Sequence, residues 1–385
     1  MSTPTIGIIT IHNSPSYGAC LQAYALWKYI SEQGYKAEII DLLRPHNKEY
    51  IHSKKHLIYS HLFNKRKTLG DIPYAIMRKL VKTFKQQIRP NTNYKSLQKE
   101  RFNEFNAQVA YSKIYRGPDE LYACPPQYDI YISGSDQVWN PAQPYPVEPY
   151  FLTFVKEGKR IAYASSIGLS SIPEELKDNY KEWWTAYDDL LVRENRAKEI
   201  IRDLTGRKAE VVLDPTFLPD TSIWENFAKE PRVKGYIMLF SLGNDSKLIS
   251  YGKKLAKKNN LKLVILGHNF NNIYANPIIV TAMDAGPREF LGWIKNAQFV
   301  LTDSFHCSVF SILFGTNFYA YIAKNNKRGS RIIDLLDTFS LSSHLLTKIP
   351  EDTNFPQKPD KVHLASLILD QQERSRSVLN RALAT

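Results

Sequence analysis

The chain has 385 residues, 43% hydrophobic and 12% aromatic, and 51 Lys plus Arg against 38 Asp plus Glu give it a formal charge of +13. That length exceeds what one core usually organises, so two domains are expected, and the charge points to an anionic partner or surface. No run approaches the roughly 18 apolar residues of a membrane span, the opening MSTPTIGIITIHNS is not an export signal, and Cys20, Cys124 and Cys307 are too few and too scattered for a disulfide framework or zinc site, so the expectation is a cytoplasmic protein with no metal.

The first pattern is a buried-strand run, TIGIITI (Thr5 to Ile11), then the loop HNSPSYG. A helix follows in which Leu21, Tyr24, Ala25, Trp27 and Ile30 recur at helical spacing, Gly34 stops it, and KAEIID (Lys36 to Asp41) reads as the next strand. After a long interruption come the strand-like runs YDIYISG (Tyr128 to Gly134), KRIAYASS (Lys159 to Ser166), DLLVREN (Asp189 to Asn195) and AEVVLDP (Ala209 to Pro215). A second series begins after Phe217 to Asp220. It runs GYIMLFSL (Gly235 to Leu242), LKLVILG (Leu261 to Gly267), helix REFLGWIKNA (Arg288 to Ala297), strand QFVLTDS (Gln298 to Ser304), helix FHCSVFSILFG (Phe305 to Gly315) and strand NFYAYI (Asn317 to Ile322). Such alternation predicts two mainly parallel sheets covered by helices, in Rossmann-like domains at 1–222 and 223–362 that face a cleft. An amphipathic stretch at 363–385 reads as a closing helix that packs back on the first domain.

The interruption from His46 to Tyr115 holds fifteen Lys and Arg against four acidic residues, a net of +11. Apolar residues are interleaved (Leu57, Ile58, Tyr59, Leu62, Phe63, then Tyr74, Ile76, Met77, Leu80, Phe84), as in helices with one apolar and one basic face. Three readings stay open: a helical insertion packed on its own domain, contact with an anionic leaflet or lipid-linked substrate, and nucleic acid. The last is the weakest, since no nucleic-acid motif accompanies the charge.

The most informative local geometry is TDSFHCSVFSILFG. A strand feeds a helix whose N-cap is Ser304, leaving N–H groups near His306, Cys307 and Ser308 free for an anion and setting His306 at the carboxyl edge of a parallel sheet. On the residues alone, His306 is either a structural hydrogen-bonder or a proton carrier. Lys324, Lys327, Arg328 and Arg331 follow the next strand and are either phosphate or carboxylate ligands or a solvated basic loop. In the first domain, SPSYG places Tyr17 and Gly18 at a helix N-terminus facing the cleft. The loop GSDQVWN offers Ser135, Asp136, Gln137, Trp139 and Asn140, a set that suits a sugar or, equally, a capped turn with Trp139 as a core plug. Dinucleotide and P-loop fingerprints, HExxH and paired glycosidase carboxylates are all missing from the sequence.

Six motifs in order, SYGACLQAYAL, YDIYISGSDQVWN, YASSIG, LVREN, VVLDPTFL and FVLTDSFHCSVFSILFG, resemble the polysaccharide pyruvyl transferase family over most of the chain. The resemblance implies a glycosyltransferase-B-like fold and transfer of pyruvate from phosphoenolpyruvate to sugar hydroxyls as a ketal. It makes His306 the catalytic histidine and Arg193 a phosphoenolpyruvate ligand; the loop positions read above add Ser304, Lys324, Lys327, Arg328 and Arg331 on the donor side and Tyr17, Asp136, Gln137, Trp139 and Asn140 on the acceptor side. The chain departs from the family where Ser304 replaces an arginine and Phe305 a leucine, so Lys327, Arg328 or Arg331 is expected to supply the missing charge. Implied partners are phosphoenolpyruvate and a lipid-linked sugar acceptor at an anionic membrane face, with no cofactor, metal or nucleic acid. Such chemistry needs guanidinium or ammonium donors for two anions and a group that exchanges protons near neutral pH. The rival readings are a nucleotide-sugar glycosyltransferase of the same fold and a noncatalytic basic scaffold.

Overall fold

The computed structural model describes residues 3–63, 93–243, 245–266, 278–323 and 329–384. The first sheet is built from β1 (Thr5–Ile9), β2 (Lys36–Ile39), β3 (Ile130–Ser133), β4 (Lys159–Ser165), β5 (Asp189–Val192) and β6 (Glu210–Val211), in the order β2-β1-β3-β4-β5-β6, all parallel. The second takes β7 (Tyr236–Phe240), β8 (Lys262–Leu266), β9 (Ile279–Ala282), β10 (Phe299–Thr302), β11 (Phe318–Tyr321) and β12 (Leu345–Leu346), in the order β12-β11-β10-β7-β8-β9, again parallel. Helices cover both sheets, which is why IYIS of β3 and YIMLF of β7 are buried at every residue rather than alternating. These are two Rossmann-like domains facing a cleft, a glycosyltransferase-B-like arrangement.

The order in which strands are added to the sheet reverses between β1 and β3 in the first sheet and between β7 and β10 in the second. At such switch points the loops leaving the carboxyl ends part and open a crevice. The loops after β1, β3, β7 and β10 all line one cleft of about 890 Å³, so both crevices open into the same space.

The other helices are α1 (Tyr17–Glu32), α2 (Tyr94–Asn106), α3 (Pro118–Ala123), α4 (Lys177–Thr185), α5 (Asn195–Thr205), α6 (Thr221–Phe227), α7 (Ser246–Lys258), α8 (Pro287–Lys295), α9 (Phe305–Leu313), α10 (Ser330–Thr338) and α11 (Lys361–Leu383). One apolar core runs between the two sheets: Tyr17 of α1 stacks on Phe290 of α8 at 4.5 Å, and Trp224 of α6 meets Phe310 of α9 edge-on at 5.2 Å. From the far end of the chain, α11 returns to the first sheet's side, where Gln372 and Arg376 donate to the carbonyls of Phe217 and Leu218 and the Ser375 hydroxyl accepts from the Leu213 N–H.

Several strands are shorter than their apolar runs. β5 stops at Val192 and β6 at Val211, which leaves Arg193, Glu194 and Asp214 in loops at the carboxyl edge. β9 and β12 were not legible as strands, being a short run flanked by polar residues and a two-residue edge. Of the basic segment, residues 64–92 lie outside the described residues. Leu57 to Phe63, expected to be helical, is loop ending in a single 3-10 turn, Ser60–Phe63, and Tyr59 is buried with its hydroxyl on Glu148. Nor is Arg101 a free surface cation: from α2 it pairs with Asp284 at 2.8 Å and Glu289 at 3.2 Å beside α8, so this helix ties the two domains together. No helix among the described residues is long and apolar enough to cross a membrane.

Candidate active site

His306 occupies the first turn of α9, directly after β10. Ser304 is the N-cap, its hydroxyl accepting the Cys307 N–H, and Asp303 accepts from Ser241 and from the Leu242 and Gly243 N–H groups, which binds the loops of the second switch point together. The imidazole sits between the two domains. Its Nδ1 edge lies against the Cα of Gly18 at the start of α1, where any Cβ would overlap the ring, so glycine is required there for close approach rather than for φ. Its buried Nε2 faces Asp214 at 3.4 Å, an ion-pair distance rather than an aligned hydrogen bond.

Asp214 is fully buried and saturated with donors. One oxygen accepts from the Thr216 N–H and hydroxyl; the other accepts from the Ser135 hydroxyl at 3.0 Å and the Arg193 guanidinium at 2.9 Å. Burial alone would raise its pKa, but His306, Arg193 and the Thr216 N–H more than offset that and hold it well below the usual carboxylate range. Asp136, on the cleft wall, behaves the same way: burial opposes its charge, and Arg193, His306, Arg331 and the Gln137 N–H together keep its pKa lowered. It also holds a left-handed φ of 74°, a conformation Asp tolerates better than most residues. An ionised carboxylate and an imidazole thus share one cleft, with a further carboxylate behind the ring, an arrangement able to move protons to and from a bound molecule.

Arg193 is enclosed rather than open. It pairs with Asp214, stands 3.7 Å from Asp136 and 4.0 Å from Glu194, and its side chain is 2% exposed. Three carboxylates surround its charge, and it organises them, while its Nε and Nη2 have no hydrogen-bond partner among the described residues. Arg331 of α10 does line the cleft, as do Ser304, Tyr17, Asp136 and Gln137. Lys324, Lys327 and Arg328 lie outside the described residues. Trp139 is a correction. It is fully buried, stacked on Phe151 at 5.2 Å with its N–H on the Tyr150 carbonyl, so it plugs the core and offers no face to a sugar. Asn140 is buried beside it and donates to the Gln137 side chain, which it orients. Tyr17 reaches the cleft but its hydroxyl is committed to the Ala285 carbonyl.

A family model, Polysaccharide pyruvyl transferase, matches residues 17–325. The chain belongs to that family. As a pyruvyl transferase it is an enzyme that moves a pyruvyl group onto a polysaccharide acceptor. No curated protein matches it by sequence. Among solved structures it is similar to the glycosyltransferase SnogD from Streptomyces nogalater, at 8% identity over 99% of this chain and 100% of that one with a TM-score of 0.47. It is also similar to UDP-GlcNAc 2-epimerase from Neisseria meningitidis bound to UDP-GlcNAc, at 10% identity over 98% and 99% of the chains with a TM-score of 0.46. The two-domain assignment stands on the strand orders themselves.

In this pyruvyl transferase the residues that sequence reasoning passed over are Asp214, Glu194, Gly18 as a ring contact, and Gln98, which reaches the cleft from α2. Asp214 had a signal: an Asp directly after the apolar run VVL and before Pro215 sits where a strand ends and a loop begins. Gln98 had none, since nothing local shows that α2 crosses to the second domain.

Proposed function

We propose that this pyruvyl transferase takes its pyruvyl group from phosphoenolpyruvate and closes it as a ketal on two hydroxyls of a sugar in a lipid-linked cell-surface glycan precursor, without a cofactor. The observation that carries the reading is His306, held against Asp214 at the floor of a cleft that also exposes Arg331 and the open N-terminus of α9. Phosphoenolpyruvate carries a phosphate and a carboxylate, and a guanidinium and a helix N-terminus are complementary to both. On this reading residues 1–222 serve the acceptor, 223–362 serve the donor, and 363–385 close one on the other.

The residues then divide the work. The proton exchanged with the substrate is on Nδ1, because Nε2 is buried facing Asp214. His306 gives that proton to C3 of the enol phosphate, a sugar hydroxyl adds to C2 and loses its proton to Asp136, the C2–O bond to phosphate breaks, and a second hydroxyl closes the ketal. Of the two hydroxyl protons, one ends in the new methyl group and one on phosphate. No phosphorus–oxygen bond breaks, so phosphate leaves with the bridging oxygen.

Turnover of phosphoenolpyruvate in heavy water tests the reading: deuterium must appear in the pyruvyl methyl of the product. A methyl free of deuterium sinks it, and so does phosphate that has lost the bridging label of 18O-phosphoenolpyruvate. The lipid-linked acceptor calls for contact with an anionic leaflet through the basic segment, seven of whose fifteen cations are among the described residues. Co-sedimentation should then favour anionic over neutral vesicles and weaken steeply with salt, since exposed charges are screened within roughly 8 Å at physiological ionic strength.

A further inference from the structure

Arg44 lies on the loop after β2, just before the basic segment begins at His46, and is only 7% exposed. A guanidinium taken out of water needs a countercharge, because close ionic or hydrogen-bonded partners are what offset its desolvation. Arg193, buried in the same domain, has three carboxylates around it. Arg44 has none in ion-pair range among the described residues: Asp41 on its own loop is taken by His12 at 2.9 Å, and Asp136, held by Arg193, acts on Arg44 only from farther off. Among the described residues its one hydrogen bond runs from Nη1 to the Tyr145 hydroxyl at 3.4 Å, and its Nε is buried without a partner. The Tyr145 ring lies under the guanidinium at 5.3 Å, which steadies the cation without occupying its other N–H groups.

The loops after β1, β2 and β3 meet here, at the carboxyl edge of the first sheet beside its switch point. Asn13, after β1, ties itself to the Arg44 loop on both sides of that residue: its Nδ2 donates to the Leu42 carbonyl, and its own carbonyl accepts from His46. The Asn13 Oδ1 is buried and has no hydrogen-bond partner, so this loop junction holds an unused acceptor as well as an unused donor. Pro15 and Ser16 of the β1 loop and Asp136 of the β3 loop line the cleft. The junction therefore stands between the cleft and the basic segment.

We propose that Arg44, with Asn13, forms a binding site for a phosphate of the acceptor, the group that joins the sugar to its lipid. The guanidinium offers a fork to two phosphate oxygens, and the Asn13 Oδ1 accepts from a hydroxyl of the attached sugar. The bound phosphate supplies the countercharge that the folded chain lacks. A sugar with its hydroxyls at Asp136 and its phosphate on Arg44 directs the lipid toward the basic segment. That the phosphate belongs to the acceptor rests on the lipid-linked reading above; the affinity of the site for phosphate does not.

The test is calorimetric titration of the full-length protein with inorganic pyrophosphate, alone and with saturating phosphoenolpyruvate. Wild type should bind pyrophosphate in both conditions, because donor and acceptor phosphates occupy separate places. Arg44→Met keeps the side chain's length and removes its charge. It should weaken pyrophosphate binding by about 10- to 100-fold and leave phosphoenolpyruvate affinity within about twofold of wild type. Without ligand it should melt at or above the wild-type temperature, since an unpaired buried charge has gone. Arg44→Lys, which keeps the charge and loses the fork, should fall between the two in affinity. Undiminished pyrophosphate binding in Arg44→Met, a lower melting temperature or a failure to fold makes Arg44 a structural cation and overturns the proposal. Equal losses of pyrophosphate and phosphoenolpyruvate affinity put Arg44 in the donor site and overturn it too. Neutral vesicles carrying a polyprenyl diphosphate should retain wild type and release Arg44→Met; equal retention overturns the assignment to the acceptor. Wild type that binds pyrophosphate through Arg44 but not phosphoenolpyruvate removes the donor reading and supports this site, whereas binding of phosphoenolpyruvate alone removes this site and supports the donor reading.

Discussion

At the cleft floor the first sheet contributes Asp136, Asp214 and Glu194 gathered around Arg193, whereas the second contributes His306, Phe305, Arg331 and the open end of α9. The first domain's share is a buried, internally compensated carboxylate network. The second domain's share is the His306 imidazole, the Phe305 ring and the Arg331 guanidinium at the start of α9, all lining the cleft. The difference teaches that the histidine takes its surroundings from across the domain boundary: the carboxylate in ion-pair range of it among the described residues, Asp214, lies beyond β6, and its ring is clamped by Gly18 of α1. A chain in which the domains are pulled apart keeps every side chain and loses the site.

The sharpest way to break this picture is His306→Ala. Removing the proton carrier should lower kcat by about 10²- to 10⁴-fold while the donor's dissociation constant changes little, which steady-state kinetics beside calorimetry will show. Asp214→Ala tests the other side of the boundary. Arg193 loses its 2.9 Å partner in a buried setting, so unfolding in urea should occur with about 3–5 kcal/mol less stability. The milder Asp214→Asn should lower kcat without altering donor affinity.

Gly18→Ala probes the clamp alone. The added methyl overlaps the imidazole and forces it or α1 to shift, so stability should drop by about 1–3 kcal/mol and kcat should fall more than KM changes. Wild-type kcat in that variant would contradict the placement of the ring.

The smallest effect concerns pH. His344, beside β12, is buried against Asn317, and burial lowers its pKa from 6.5 to about 4. A folded pKa below the unfolded one means that the unfolded chain binds the proton first, so the second domain should lose stability as pH falls from about 6.5 to about 4. Asp136 and Asp214 also have lowered folded pKa values, so their stabilising share is complete above the unfolded value of about 4 and drains only below it. Hydrogen exchange across pH 7 to 4 should therefore loosen the second domain around His344, and His344→Gln should flatten that slope.

Much of this was legible along the chain. The runs TIGII, IYIS, KRIAYAS, YIMLF, KLVIL and FVLT became parallel strands because each is long enough in apolar residues to be covered on both faces. Ser304 announced the start of α9, and Gly34, with a φ of 90°, the end of α1. The aromatic of GSDQVWN misled, because an exposed stacking platform and a core plug have the same local pattern; Trp139 went inward once Phe151, Trp184 and Tyr187 closed around it.

The sequence by itself determined the α/β class, the two successive series, the position of His306 in the first turn of a helix, and membership of the pyruvyl transferase family. Those properties depend on periodicity, caps and motifs that act over a few residues. Only the tertiary structure decided that Arg193 is enclosed by three carboxylates, that Asp214 stands behind His306, that α2 joins the domains, and that Phe305 lies against Arg193 and Arg331. Each of those contacts joins segments far apart in the chain, and a side chain's charge or ring carries no mark of which distant partner will desolvate it.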